Sequence, residues 1–474
     1  MAEESRESLL KETKVYYENC PGCKLDKYNE THPGLPIRGL IYVWIIVLTS
    51  ALPISSLFPF LYFMVKDFHI AKREEDISFY SGFIGAAFML GRACTSVFWG
   101  LVADRYGRKP VIILGTIAVV TFNTLFGLSV NYWMAIITRF LLGCLNGVLG
   151  PIKAYAVEVF RTEYQALGVS TVSTAIGIGL IVGPAIGGYF AQPADKFPEI
   201  FSKNSLFGRF PYFLPCLCIS LMAFGVTIAS IWLPETLHKH NDSVEALETT
   251  AKKTDQKTEV EKTPKKNLLR NWPLMSSILT YCVFSLHSMA YTEIFSLWAT
   301  SPRKLWGLSY TSEDVGQILT ISGCSLFVFQ SFLYPYIEKM IGATVAARIS
   351  GVLTIPLLTA YPYIAMLSGF TLYFLLNVAS IIKNVLSTAI ITGLLLIQSR
   401  AVEQNQRGAA NGIAMTLMSL FKAVGPAAGG AILSWSQTRL DASFLPGTHM
   451  VFFLLNVVDA IGVLMTFKPF LPTP

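Results

Sequence analysis

Apolar stretches long enough to cross a lipid bilayer recur along the whole chain. A membrane-spanning helix needs about 20 mostly apolar residues, and we find twelve such stretches between residues 39 and 468. Their predicted bounds are 39–65, 77–102, 110–129, 131–155, 165–191, 210–233, 272–299, 313–337, 343–367, 370–398, 408–436 and 447–468. Only 14% of the residues are charged, whereas a soluble domain carries charge at about a quarter of its positions. The chain is therefore predicted to be an all-α membrane protein with twelve transmembrane helices.

The Lys and Arg residues are distributed unevenly between the two sides of the predicted membrane. Twelve crossings leave both termini on one side. Of the 37 Lys and Arg residues, 23 fall on that side or at the adjoining helix ends, and nine fall on the other. Because positive residues accumulate in the cytosolic loops of membrane proteins, we expect both termini in the cytosol. This topology explains the net charge of +7 without a nucleic-acid partner.

The chain divides into two similar halves around a polar central segment. That segment is rich in Lys, Glu and Thr, which predicts a mostly disordered linker. VGPAIGG at 182–188 recurs as VGPAAGG at 424–430, in the fifth span of each half. Transporters built from parallel repeats bind substrate at the midplane between two bundles. We predict a cytosolic N-terminal tail (1–38), a six-helix bundle (39–234) and a cytosolic central loop (235–271). A second six-helix bundle (272–468) and a cytosolic C-terminus (469–474) follow.

A charged motif, GLVADRYGRKP at 100–110, lies between the second and third spans. A short cytosolic loop is expected to be basic, but this does not explain an Asp and two Gly at fixed spacing. A carboxylate at a helix end can cap the positive N-terminus of a helix from the other bundle, and Arg can pair with nearby acids. The motif resembles the signature of the major facilitator superfamily, which implies the major facilitator fold and a latch that closes the cytosolic side. The implied latch comprises Gly100, Asp104, Arg105, Gly107, Arg108 and Lys109, with Glu158 and the start of span eleven near Gly408 as partners.

Two further motifs resemble those of the drug/proton antiporter branch of that superfamily. Arg139, Gly143 and Gly147 share one face of span four and resemble an arginine motif linked to proton coupling. The alternative is a structural arginine bonded to a backbone carbonyl. GLIVGPAIGG on span five resembles the antiporter motif, and plain helix packing is the alternative there. The predicted packing residues are Gly179, Gly183, Pro184, Gly187, Gly188, Gly425 and Pro426.

Four segments together resemble the plant zinc-induced facilitator-like family over essentially the full length. They are CPGC, SLFGRFPYFLPC, SPRKLWGLSY and QRGAANGIAMTLMSLFKAVGPAAGG, beginning at residues 20, 205, 301 and 406. The resemblance implies a proton-driven antiporter of the vacuolar or plasma membrane that handles nicotianamine, phytosiderophores or potassium and affects zinc and iron balance. Three hypotheses remain: an antiporter of a carboxylated chelator, a potassium/proton exchanger, or a non-transporting sensor. An enzyme is not expected, because the sequence contains no catalytic set.

Acidic residues inside the spans are few, and each is costly in a membrane and therefore a candidate for proton coupling. Span one has none, although relatives in this branch often place the coupling carboxylate there. The remaining acids are Glu293 on span seven and Asp459 on span twelve. His287 titrates in a useful range when unperturbed, but a hydrogen-bonded structural histidine is the alternative. Glu293 is the favoured coupling group, because span twelve usually lies at the periphery.

Five basic residues lie inside the spans: Arg92, Arg139, Lys153, Lys383 and Lys422. Because they exceed the two acids, the buried charge is positive, which favours a carboxylated substrate over a cation. Lys383 and Lys422 lie near the midplane and are the predicted substrate contacts, with Arg92 and Asn384 as further candidates. The alternative is that the lysines pair with the acids or extend toward the surface.

Cys20 and Cys23 have the spacing of a metal-binding or redox pair, but a zinc site needs about four ligands. His238 and His240 in the central loop could complete a metal site, but we favour a solvated tail without metal. We expect no cofactor. The expected partners are a small-molecule substrate, protons and the lipid bilayer, and the protein is expected to be a monomer.

Overall fold

The computed structural model describes residues 16–17, 20–32, 34, 36–238, 268–402 and 407–471. Within this part of the chain every regular element is a helix. We number the twelve long helices α1 to α12: Ile37–Ser55, Asp76–Tyr106, Arg108–Gly127, Tyr132–Glu158, Gln165–Phe190, Phe213–Ser230, Trp272–Thr300, 312–341, Ala343–Ile364, Gly369–Arg400, Arg407–Gln437 and Thr448–Met465. The prediction of an all-α protein with twelve spans is thereby confirmed.

Among the described residues, ten of these helices are long and apolar enough to cross a membrane. The other two are α7 and α8. Helix α7 is 29 residues long, but its Ser, Thr, His and Glu side chains lower its mean hydropathy. Helix α8 continues through a π-helical turn at Phe329–Leu333. The predicted break after residue 367 is also present, because α9 ends at Ile364 and α10 begins at Gly369.

The first predicted span, 39–65, is wrong in its second part. Helix α1 contains Pro53 and ends at Ser55, and a separate short helix follows at Leu61–Asp67. Pro59 between them has no N–H to donate, so one continuous helix would lose a backbone hydrogen bond there. The other predicted ends agree with the observed helices to within about four residues.

The predicted disordered linker is partly ordered where it leaves the first bundle. Residues 235–238 are described in an extended conformation and contact the ends of α3 and α4. Residues 239–267 lie outside the described residues.

The repeated glycine segments pack the fifth helix of each half on the first helix of the same half. A Cβ placed on Gly183 of α5 would lie 2.8 Å from the Cβ of Ser55, at the end of α1. A Cβ placed on Gly425 of α11 would lie 3.2 Å from the carbonyl oxygen of Leu286 on α7. Small residues at these positions permit the close approach of the helices.

The last glycine of each repeat instead contacts the other half. A Cβ on Gly188 would lie 2.8 Å from the Cα of Gly316 on α8. A Cβ on Gly430 would lie 2.9 Å from the Cα of Gly82 on α2. We call this end of the molecule the opposite face, and the end that carries Gly107 the motif face. The two halves therefore meet backbone to backbone at the opposite face.

Replacing Gly188 by alanine is expected to weaken closure of the opposite face. The added methyl would meet backbone atoms of Ser312 and Gly316, which cannot rotate away, and overpacking of this kind costs about 1–3 kcal/mol. A Ser78→Cys reporter is suitable because Ser78 is buried at the neighbouring α2–α11 contact. We expect a membrane-impermeant maleimide to label this reporter faster in Gly188→Ala.

Gly177→Ala is the matched control, because a Cβ at Gly177 on the same helix meets nothing within 4 Å. Equal labelling rates in the two alanine variants would show that Gly188 does not hold the two halves together.

Candidate functional site

The 100–110 motif forms the turn between α2 and α3 at the motif face. Gly107 has φ +111°, a conformation that favours glycine. Arg108 donates to Asp104 at 2.8 Å and to Glu158 on α4 at 2.9 Å. Asp104 is otherwise exposed, and Arg105 extends over the ring of its neighbour Tyr106. In this conformation the motif pairs within the first half of the molecule.

The carboxylate that caps a helix in this region is Glu235, which the sequence analysis did not single out. Its carboxylate accepts hydrogen bonds from the backbone N–H groups of Arg108 at 3.0 Å and Lys109 at 3.1 Å, at the N-terminus of α3. The sequence analysis predicted a different cap, in which Asp104 of the 100–110 motif caps the N-terminus of span eleven. The surroundings of Gly408 lie outside the described residues, so the cap on span eleven stays a prediction. A side chain at Gly107 would collide with the Glu235 carboxylate, and at Gly100 it would meet nothing within 4 Å.

Arg139 is buried on α4 and is bonded to a backbone carbonyl. This is the structural role that the sequence analysis gave as the alternative to proton coupling. Its guanidinium donates to the carbonyl oxygen of Pro53 at 2.9 Å. The guanidinium carbon also lies 4.8 Å from the ring centroid of Phe126, a favourable cation–π distance. A Cβ on Gly143 would lie 2.9 Å from the carbonyl carbon of Phe88, so this face of α4 packs on α2.

Three basic side chains converge between the two halves: Arg92 on α2, Lys153 on α4 and Lys422 on α11. Each is half-buried, and Arg92 and Lys153 both act electrostatically on Lys422. Within the described residues no carboxylate forms an ion pair with any of the three. We call these three residues the cation cluster. Lys153, whose Nζ lies 3.8 Å from Met415 Sδ, was not predicted as a substrate contact.

Lys383 and Lys422, the two predicted substrate contacts, have different charged neighbours. Lys383 is buried on α10 inside the second half, with its Nζ 3.7 Å from the ring centroid of Tyr291. Asp459 on α12 acts electrostatically on it. The neighbouring Asn384 donates its amide to the backbone carbonyl of Ser380 at 3.0 Å. Within the described residues the Lys383 ammonium forms no hydrogen bond or ion pair, so its pairing with an acid stays a prediction.

Asp459 is 0% exposed, although helix α12 was expected to be peripheral. Its Oδ1 lies 3.8 Å from Nδ1 of His287 on α7, beyond hydrogen-bond distance. Asp459, His287 and Lys383 thus form a buried polar group inside the second half. Helical periodicity gave no signal for this grouping, because the three residues come from three separate helices.

Glu293 is buried on α7 and faces α2 and α11. Its Oε2 lies 2.8 Å from the position that a Cβ on Gly85 would occupy, so the glycine leaves space for the carboxylate. Arg139 acts electrostatically on Glu293. In the described part of the chain no protein donor hydrogen-bonds to either carboxylate oxygen. Such a buried, unsatisfied acid in a membrane is a candidate for proton binding.

Cys20 and Cys23 lie at the start of a short helix at Pro21–Thr31, and they are only 1% and 4% exposed. The expected solvated tail is therefore wrong at these residues. Both sulfurs face His238 of the central segment. His240, the other histidine proposed for this site, lies outside the described residues.

An ion pair crosses the opposite face between the two halves. Lys304, in the loop before α8, pairs with Glu74, which precedes α2. The hydrogen bond from Lys304 holds the pKa of the Glu74 carboxyl below its ordinary value, because it stabilises the charged form. The pair therefore helps to hold the opposite face closed whenever Glu74 is ionised.

Lys304→Ala should lower the melting temperature of the detergent-solubilised protein at pH 7. A carboxyl with a depressed pKa stabilises the structure above its ordinary pKa of about 4.3 and loses that contribution as the pH falls through the depressed value. The difference from the unmodified protein should therefore disappear at lower pH. Lys72→Ala is the control, because Lys72 is exposed at the same face and forms no ion pair among the described residues. A difference that persists after Glu74 is protonated would contradict this account.

Two sets of six long helices that meet closely at one face and hold buried charge between them define a two-bundle membrane transporter. The family model described as Major Facilitator Superfamily matches residues 43–426. Solved structures with this fold include a D-xylose-proton symporter, with a TM-score of 0.67, 15% identity and coverage of 92% of this chain and 97% of that one. The human organic anion transporter MFSD10 has a TM-score of 0.62, 16% identity and coverage of 92% and 100%.

Two full-length relatives come from Arabidopsis thaliana. Protein ZINC INDUCED FACILITATOR-LIKE 1 is 62% identical over 475 residues, covering 99% of each chain. Protein ZINC INDUCED FACILITATOR 1 is 58% identical over 484 residues, covering 100% of this chain and 99% of that one. The chain therefore belongs to the zinc-induced facilitator-like family of the major facilitator superfamily. Members of this superfamily are transporters and generally not enzymes.

Proposed function

We propose that this protein is a proton-coupled antiporter of a small carboxylated metal chelator, of the nicotianamine or phytosiderophore type. The observation that carries the proposal is the cation cluster of Arg92, Lys153 and Lys422. Keeping three positive charges together in a low-dielectric region without an acidic partner is costly. A substrate that brings several carboxylates would remove that cost on binding. The names of the Arabidopsis relatives support a role in zinc homeostasis, and we extend it to iron balance.

The spacing along α2 and α11 suits a substrate that carries both carboxylates and amines. Glu293 lies beside Gly85 of α2 and Pro426 of α11. Arg92 is seven residues from Gly85, or about 10 Å along the helix, and Lys422 is four residues from Pro426, or about 6 Å. A chelator about 10 Å long could therefore place its carboxylates on the cation cluster and an amine at Glu293.

This arrangement supplies a reason for antiport. A protonated amine of the substrate and a free proton would both neutralise Glu293, so the two ligands would compete for one carboxylate. Substrate bound from one side would displace the proton, and a proton arriving from the other side would displace the substrate.

Conformational exchange would then involve both faces. The opposite face is closed by the Gly188 and Gly430 contacts, and the 100–110 motif would close the motif face in the alternative state. We assign the motif face and both termini to the cytosol, and the protein to the vacuolar or plasma membrane, from the distribution of positive residues and the family resemblance.

A potassium/proton exchanger is the second candidate. The buried carboxylates of Glu293 and Asp459 favour it, because a monovalent cation and a proton could compete for either one. The positive potential of the cation cluster opposes entry of potassium along the same path. Removing cluster charges therefore separates the two candidates, since it should weaken chelator binding and should not weaken potassium exchange.

Lys422→Gln and Lys153→Gln should each weaken nicotianamine binding by about 10-fold to 100-fold. A hydrogen bond to a charged group contributes about 1.5–3 kcal/mol, and each 1.4 kcal/mol corresponds to a factor of ten. Isothermal titration of the purified protein provides the measurement. Lys339→Gln is the control, because it removes one positive charge at an exposed position.

Lys383→Gln should mainly lower protein yield, because it removes the positive charge nearest the buried Asp459. The chelator hypothesis fails if both cluster variants bind nicotianamine like the unmodified protein while potassium/proton exchange changes.

Glu293→Gln should abolish the pH dependence of transport while substrate exchange remains measurable. Glutamine is similar in shape to glutamate but cannot gain or lose a proton, so the substrate no longer competes with one. Exchange rates in proteoliposomes at a series of pH values provide the measurement. Asp459→Asn is the matched variant for the other buried acid. If Asp459→Asn loses the pH dependence and Glu293→Gln retains it, Asp459 is the coupling group.

A further inference from the structure

The N-terminal tail and the central segment meet at a cluster of two thiols and an imidazole. His238 Nδ1 lies 3.8 Å from Cys20 Sγ and 3.9 Å from Cys23 Sγ. The three potential ligand atoms lie within 4.8 Å of one another. The imidazole ring covers Gly22 at 2.8 Å from the position of a Cβ there, so a side chain at this residue would displace the histidine.

These separations fit a tetrahedral metal site. Zn–S bonds of about 2.3 Å and Zn–N bonds of about 2.0–2.1 Å place neighbouring S and N ligands about 3.6 Å apart. The second ring nitrogen of His238, Nε2, lies 3.7 Å from a carboxylate oxygen of Asp26. A carboxylate beside the other nitrogen is typical of metal-binding histidines, because it orients the ring and raises its basicity.

The segment that ends at His238 also holds the helix cap at the motif face. Only two residues lie between His238 and Glu235, which accepts hydrogen bonds from the backbone N–H groups at the start of α3. Between them, Thr236 donates its hydroxyl to Glu158, and the carbonyl of Leu237 accepts a backbone bond from Gly22. The segment 235–238 therefore links the thiol–imidazole cluster to the 100–110 motif.

We propose that Cys20, Cys23 and His238 bind a soft divalent cation such as Zn²⁺, and that the bound ion fastens the 235–238 segment to the Pro21–Thr31 helix and so holds Glu235 at the α2–α3 turn. Each thiol releases its proton to solvent when it becomes a ligand. The described residues supply three ligands, and a fourth position would take water or another donor, as in zinc sites with three protein ligands. The site lies outside the helical spans and is separate from the cation cluster. It provides a means by which the concentration of the metal adjusts a transporter of metal chelators.

The first test measures metal binding to the full-length protein in detergent with reductant present. We expect equilibrium dialysis to find about one tightly bound Zn²⁺ per chain, and Co²⁺ to give a thiolate-to-cobalt absorption band. The Cys20→Ser/Cys23→Ser double variant should lose both signals, and His238→Ala should weaken binding at least 10-fold. The controls are Cys94→Ser/Cys324→Ser and His32→Ala, which change exposed residues. Equal binding by the site and control variants would overturn the proposal.

The second test measures transmission to the motif. Hydrogen exchange of the Arg108 and Lys109 amides should slow at least 10-fold when Zn²⁺ is added, because Glu235 is held in place. Glu235→Ala should retain metal binding and lose this protection. Metal binding without any change in these two amides would show that the site does not act on the α2–α3 turn. Because neither test measures transport, the outcome is independent of the substrate.

Discussion

The structure depends on how charge is accommodated inside a membrane protein. Moving an ion from water into a low-dielectric interior costs several kcal/mol of solvation free energy unless another group interacts with the charge there. Arg139 meets this requirement with a backbone carbonyl and two aromatic rings, and the ammonium of Lys383 lies against the ring of Tyr291. The cation cluster has no such partner among the described residues, which makes it the place where a bound substrate would gain most.

The glycine repeats set the geometry in which those charges meet. Gly188 and Gly430 allow the backbones of the two halves to contact each other at the opposite face. The charged residues of α2 and α11 lie further toward the motif face. The same helices thus supply both the contact and the charge. A movement that separates the glycine contacts would also change the distances within the cation cluster, since both Arg92 and Lys422 lie on helices of that contact.

Much of the fold followed from the sequence, because hydropathy and length determine a membrane helix locally. The twelve spans, the internal repeat and the break between α9 and α10 were all predicted from such local signals. The end of the first span was predicted wrongly, because the apolar composition continues through Pro59 although the helix does not.

The site was less predictable, because residues far apart in the sequence create it. Intramembrane charge drew attention to Arg92 and Lys422, but no periodicity indicated that Lys153 would join them. Glu235 and the burial of Cys20 were missed for the same reason: each depends on a contact across more than 100 residues.

Transport by the purified protein in proteoliposomes tests the central claim most directly. Nicotianamine, potassium and free zinc would be offered separately under an imposed pH gradient, with empty liposomes as the control. The account predicts that nicotianamine moves against the proton flux, that its flux stops when the gradient is collapsed, and that free zinc does not move. Potassium/proton exchange without nicotianamine flux would contradict the account, and the absence of any transport by folded, correctly inserted protein would favour the sensor hypothesis.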